Sequence, residues 1–247
     1  MFVRSELKSQ AKAIIKDKYF TMVLVGLVAL FLTSSLLGVS YDVENEIAMV
    51  TVFQAYSFYV NYDRAMMMAV PVVLIGLLWM FFVTLPASVG ITCFFQRASF
   101  NEQKFSDVWS GFTVNYAHKI KTRALVWFRV FLWSMLLVVP GIMKALSYAF
   151  VPYLLNDYPE KSPKEILDMS EKMAKGMRWQ MVVLWLSFFL WGLGAGFVDV
   201  FIPGFGTVLL LPYIYQTEAQ LYHWAKTNRL NANEESEILI DDESNTI

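Results

Sequence analysis

Four ionisable side chains lie in or beside apolar runs of this 247-residue chain: Arg129, Lys144, Asp199 and Glu218. A charge at the centre of a bilayer costs roughly 2.5–3.5 kcal/mol on insertion scales, so such groups tend to be paired or to serve an ion, proton or substrate. Neighbouring punctuation sets their depths. Arg129 and Glu218 stand near Arg123 and Lys226, toward an inner surface, while Lys144 and Asp199 each stand four residues from a proline, Pro140 and Pro203, toward an outer one. The spacing predicts two ion pairs, Arg129–Glu218 and Lys144–Asp199, one in each layer. Snorkelling of each group to its own interface is the alternative. If the pairs line a polar cavity, transport gains support.

Other chemistry finds little footing. The two histidines, His118 and His223, have no partner ligands at metal spacing, and the single cysteine, Cys93, excludes an intramolecular disulfide. There is no Gly-x-Ser-x-Gly elbow and no His-Glu-x-x-His. No strand precedes Gly192, Gly194 and Gly196 and no lysine follows them as a nucleotide loop requires. Gly192 and Gly196 are one helical turn apart, which predicts close helix packing. A net charge of −1 gives no case for nucleic-acid binding. No cofactor or metal is expected.

The elements that must position these residues are membrane helices. The chain is 57% apolar and 17% charged, against roughly 45–50% and about 25% in soluble domains. The excess falls in the runs 20–39, 70–95, 124–139, 179–200 and 201–215, each near the roughly 17–25 residues that cross a hydrocarbon core. The first run and its charged lead are long for a cleaved leader. All but Arg64, Arg129 and Lys144 of the 20 Lys and Arg residues fall in segments 1–19, 96–123 and 156–178 and in the tail. Loop 40–66 carries Asp42, Glu44, Glu46 and Asp63 instead. The positive-inside rule therefore puts both termini in the cytoplasm and that loop outside. Segment 124–155 has basic flanks, so the chain enters and returns within it, turning at Pro140-Gly141, and Pro203-Gly204 repeats the punctuation. A re-entrant hairpin over 124–155 is the competing reading.

Basic amphipathic segments open each hairpin. Arg4, Lys8, Lys12 and Lys16 oppose Val3, Leu7, Ala11, Ile14 and Ile15 at helical spacing. Ser162, Pro163 and Glu165 form a capping box ahead of Ile166, Met169, Met173 and Met177. Segment 102–122 follows more loosely with Phe105, Val108, Trp109 and Phe112. The returning legs carry Pro86, Pro152 and Pro212. The expectation is an all-α polytopic membrane protein of about six spans in three hairpins, each preceded by an interfacial helix. Residues 1–228 make one domain of repeat-like units 1–95, 102–156 and 162–228, and 229–247 is an acidic tail expected to be disordered.

Several short sequences carry a family likeness. Pro140-Gly141-Ile142, Ser147-Tyr148, Asn156-Asp157, Ser170-x-x-Met173-x-x-Gly176, Leu186-Ser187-Phe188, and Leu211-Pro212-Tyr213 with Thr217-Glu218-Ala219 and Tyr222 resemble the domain of unknown function 975 family of bacterial integral membrane proteins. The likeness is strongest from about 120 to 225. It implies a helical fold in the cell membrane and lends no activity. The Pro-Gly turn, the returning proline and the Ser-bearing helix are also similar to the membrane domain attached to some glycerophosphodiester phosphodiesterases. The catalytic domain of those enzymes is not in this sequence, so that likeness implies a lipid-facing scaffold.

The expected function is non-enzymatic: a membrane scaffold or lipid-interacting module. Its basic helices would meet anionic headgroups, and a protein partner or a second copy of the chain could complete it. A small transporter or export accessory using the intramembrane charges is the alternative.

Overall fold

The computed structural model describes residues 2–33, 74–113, 115–202 and 204–231, and every regular element among them is helical. Loop 40–66, Pro203 and the tail beyond residue 231 lie outside the described residues. The helices are α1 (Arg4–Asp17), α2 (Tyr19–Thr33), α3 (Leu74–Ala98), α4 (Tyr116–Leu136), α5 (Val138–Ser147), α6 (Val151–Asp157), α7 (Pro163–Ala174), α8 (Arg178–Phe201) and α9 (Phe205–Ala225). A 3₁₀ segment, Phe105–Phe112, joins α3 to α4.

Proline and glycine decide where these helices bend and touch. Pro86 has no N–H to donate and its ring crowds the preceding turn. The turn before it, Met80–Thr84, widens to π geometry. Phe82 O, the carbonyl four residues before Pro86, accepts from Tyr116 Oη at 2.7 Å. Pro212 lies inside α9, and the carbonyl four residues earlier, Val208 O, faces Gly26 of α2. A Cβ on Gly26 would stand 3.1 Å from that oxygen and 3.3 Å from the Pro212 ring.

The turn of the hairpin 124–155 falls earlier than Pro140. Leu137 is extended (φ −159°, ψ 146°) and α5 begins at Val138, so Pro140 sits in a first helical turn, where a missing donor costs little. Gly141 serves the crossing instead: a Cβ there would stand 2.2 Å from Ser134 Oγ. Gly204 does occupy a turn, at φ +78°, a conformation open to glycine.

The core is built by the proline-bearing stretches. Leu85–Ala98 of α3 is almost wholly buried, as is α6 from Val151 to Leu155, and both pack on one another and on α9. The amphipathic segments cover this core in a cyclic order. The 3₁₀ segment lies on α3, α7 lies on α6, and α1 lies on α9. Leu7, Ala11 and Ile15 of α1 face inward, leaving Arg4, Lys12 and Lys16 exposed. In α7 the Ser162–Glu165 capping box forms as expected, with Ser162 N–H donating to Glu165 Oε2 at 2.7 Å. The segment at 102–122 differs from its expected face. With three residues per turn, Val108 and Gly111 point inward while Phe105 and Trp109 are exposed.

Two helices, Leu74–Ala98 and Arg178–Phe201, are long and apolar enough to cross a membrane, and Tyr19–Leu32 is a shorter apolar helix. Only 17% of the apolar window in α8 is buried, unlike a core helix of a soluble protein. Exposed apolar side chains gather toward the turns at Leu137 and Ile202: Phe131 to Val139 on α4 and α5, and Leu186 to Phe205 on α8 and α9.

Candidate functional site

Where the buried core meets the exposed apolar ends, six helices leave a cavity of about 400 Å³. Ser88 and Thr92 of α3, Arg123 and Trp127 of α4, Tyr153 of α6, Trp185 of α8 and Tyr215 and Glu218 of α9 reach it, among aliphatic neighbours such as Val126, Val130 and Leu221. Tyr215, Glu218 and Leu221 recur at three-residue steps, which places them on one side of α9. The wall is mostly apolar with a few polar groups converging, as in small-molecule sites between bundle helices.

Three of those polar groups, Arg123, Tyr153 and Glu218, lack partners among the described residues. Arg123 makes no hydrogen bond or ion pair among the described residues, and its buried Nε is unsatisfied. Tyr153 is 2% exposed and its buried hydroxyl has no partner. Glu218 accepts no hydrogen bond from a described residue. Arg123 and Glu218 share the cavity without forming an ion pair with each other. An unpaired charge of this kind is expensive unless something supplies its counterpart.

The predicted ion pairs are replaced by other arrangements. Lys144 binds Glu171 of α7 at 2.7 Å, where Asp199 was expected. Asp199 instead caps α9, accepting from Gly206 N–H at 2.6 Å and Thr207 N–H at 3.2 Å. The orphan donors of a helix start are a nearer and cheaper partner than a lysine on another hairpin. Arg129 donates to Tyr148 Oη at 3.3 Å, and Glu218 lies in the cavity with Arg123. Sequence reasoning chose the wrong arginine for that layer. Arg123 and Arg129 are six residues apart, about 240° around a helix, so they face different ways. The burial of Glu171 raises its carboxyl, but hydrogen bonds from Lys144 and Tyr148 outweigh this and hold it below the usual range.

Two of the family-like residues, Asp157 and Tyr222, form a brace beside the cavity, and the others sit at separate contacts. Asp157 accepts from Tyr222 Oη at 2.6 Å, and also from Gln96 Nε2 and Lys226 Nζ. This joins α6, α3 and α9. Tyr153 and Tyr222 stack with ring centroids 5.0 Å apart. Ser170 donates to Ser147 O at 2.7 Å, Met173 is fully buried, and Gly176 adopts φ +82° after α7. Tyr213 packs edge-on to Phe188 beneath Lys12.

The glycine prediction also moves. Gly192 and Gly196 have nothing within 4 Å of an added Cβ, so they mediate no packing among the described residues. The tightest backbone approaches are at Gly90 and Gly111, with Gly206 next, where an added Cβ would stand 2.2 Å from Ala195 O between α8 and α9. A Cβ on Gly90 or Gly111 would stand 2.0 Å from Val108 O or 1.9 Å from Pro86 O. Tyr153, Tyr215, Gln96, Gly90 and Gly111 escaped sequence reasoning, although Gln96 and Tyr222 each follow a core proline by ten positions.

No curated protein and no solved structure matches the chain. The model of a family described as protein of unknown function (DUF975) matches residues 42–229, and the chain belongs to that family.

Proposed function

We propose that this protein is a multi-pass membrane protein of the cell membrane that holds an amphiphile in its interhelical cavity, and that it acts as a non-enzymatic, lipid-interacting scaffold. The observation that carries this reading is the cavity itself: about 400 Å³, apolar over most of its wall, with Arg123, Tyr153 and Glu218 unpartnered around it among the described residues. Such a wall suits a molecule with a hydrocarbon part and a polar end.

Six passes accommodate the chain in this reading, with both termini cytoplasmic. The exposed apolar ends of α2, α3, α4, α5, α8 and α9 would meet lipid, and the self-buried ends would form a body at the cytoplasmic face. With 21 residues α4 is about 30 Å long, enough to cross. The ten residues of α5 reach about half as far, and α6 completes the return. The exposed Arg4, Lys12 and Lys16 of α1 would attract anionic headgroups.

Native mass spectrometry of the full chain released from nanodiscs tests this. Bound lipid should survive on the wild type and be lost from a cavity-filling Ser88→Trp variant that melts like the wild type. Equal retention by both would overturn the reading. A small transporter or export accessory is the second reading, favoured by the two unpaired charges. It predicts substrate flux in proteoliposomes that Glu218→Gln abolishes at normal abundance.

A further inference from the structure

The polar groups around the cavity differ in kind, and that difference identifies what they would bind. Arg123 is a cation with an unused, buried Nε–H. Glu218 carries a carboxylate with no donor among the described residues, and it does not pair with Arg123. Tyr153, nine-tenths buried and more, presents a hydroxyl with no partner among the described residues. A purely anionic ligand would satisfy Arg123 and Tyr153 and be repelled by Glu218. A purely cationic one would do the reverse. A ligand bearing an acid and a primary amine together satisfies all three, and hydrogen bonds between charged groups are the strong ones.

The cavity also has a way out. Trp127 of α4 and Trp185 of α8 line it, yet are 36% and 51% exposed. No substantial packing joins α4 to α8 among the described residues. The cavity therefore reaches the outer apolar surface between these two indoles, on the side where exposed aromatic and aliphatic side chains are dense. A headgroup could sit within while its hydrocarbon tails leave through this gap. The indole faces beside the gap add a favourable site for an ammonium.

We propose that the cavity is a headgroup site for a zwitterionic amphiphile whose polar end joins a phosphate to a primary amine, as in a phosphoethanolamine lipid. Arg123 and Tyr153 hold the phosphate oxygens, Glu218 holds the ammonium, and the tails pass between Trp127 and Trp185. This rests on the reading of the cavity as an amphiphile site and adds its chemical selectivity.

The test is lipid competition on the intact full-length protein. Nanodiscs containing equal mole fractions of phosphatidylethanolamine, phosphatidylglycerol and phosphatidylcholine are presented, and the lipid retained by the protein is identified by native mass spectrometry. The expected result is about tenfold enrichment of phosphatidylethanolamine over each of the others, the effect of one charge-assisted hydrogen bond. In Glu218→Gln the preference over phosphatidylglycerol should vanish while lipid is still retained. Arg123→Gln should lose retention, and Arg123→Lys should recover part of it. Equal retention of the three lipids by the wild type overturns the headgroup assignment and leaves the cavity reading standing. No retained lipid of any kind overturns both. Soluble phosphoethanolamine displacing the lipid at equal concentration overturns the amphiphile assignment in favour of a free zwitterion. The wild-type competition decides the matter even if a charge variant fails to fold.

Discussion

Tyr222 donates to Asp157 at 2.6 Å across 65 positions of chain. That bond joins the last turns of α9 to the end of α6, and Gln96 of α3 reaches the other carboxylate oxygen. One carboxylate thus ties together the three proline-bearing stretches of the core. Lys226 supplies the counter-charge, so this partly buried anion is paired as well as hydrogen-bonded. The cavity lies immediately beside this brace, since Tyr153 lines it and stacks on Tyr222.

The brace should be graded in strength. Tyr222→Phe removes one donor and leaves the carboxylate with two, and a cost of about 1 kcal/mol is expected. Asp157→Ala strands Gln96 and Lys226 together with the Tyr222 hydroxyl, and about 3 kcal/mol or more is expected. Thermal unfolding in micelles measures both. Equal losses would mean that Asp157 is not the hub.

Backbone contact makes a sharper distinction among glycines. At Gly90 and Gly111 an added methyl meets carbonyl oxygens at 2.0 and 1.9 Å, and backbone cannot swing aside as a side chain can. Gly90→Ala and Gly111→Ala should each cost roughly 3 kcal/mol or more, or prevent folding, as overpacking at a rigid site does. Gly192→Ala and Gly196→Ala meet nothing and should be neutral or stabilise by up to about 1 kcal/mol through helix propensity. A large loss at Gly192 or Gly196 would reveal a contact made outside the described residues, such as one with a second copy.

The Lys144–Glu171 link replaces a predicted one and can be measured against it. A double-mutant cycle on Lys144→Met and Glu171→Gln should give a coupling of about 1 kcal/mol, since both side chains are partly exposed. The cycle on Lys144→Met and Asp199→Asn should be additive. The pH dependence has a definite sign. Because the Glu171 carboxyl is held below the usual range, its contribution is complete above about pH 4.3, the unfolded value. It is lost as pH falls through the lower folded value. The cost of Glu171→Gln should therefore be present at neutral pH and disappear in acid.

The sequence made some of this legible and hid the rest for physical reasons. The all-helical class, the capping box at Ser162 and the inward face of Leu7, Ala11 and Ile15 are local properties that periodicity and capping chemistry express directly. The importance of Asp157 and Tyr222 was visible as a likeness, without its reason. What failed was pairing at a distance. Matching depth brought Arg129 to Glu218 and Lys144 to Asp199, but depth ignores the direction around the helix and the presence of nearer partners. Asp199 had the N-terminus of α9 within a few residues, and Lys144 had Glu171 of α7. The Gly90–Gly111 contact joins a helix to a 3₁₀ turn, and no single-element pattern encodes it.

Tyr116 offers a last test, because its role depends on a proline. Phe82 O accepts from Tyr116 Oη at 2.7 Å, and the proline four positions on has no N–H to offer it. The tyrosine thus does for α3 what a helical amide would otherwise do. Tyr116→Phe should cost about 1 kcal/mol in the natural sequence, because the Phe82 carbonyl loses its side-chain donor. Pro86→Ala restores an N–H at the start of Leu85–Ala98. In that background the same Tyr116→Phe change should cost clearly less, giving a coupling of about 1 kcal/mol between residues that do not themselves bond. Unfolding free energies of the four proteins measure it. Strict additivity would mean that the freed carbonyl is satisfied elsewhere and that Tyr116 contributes only by packing.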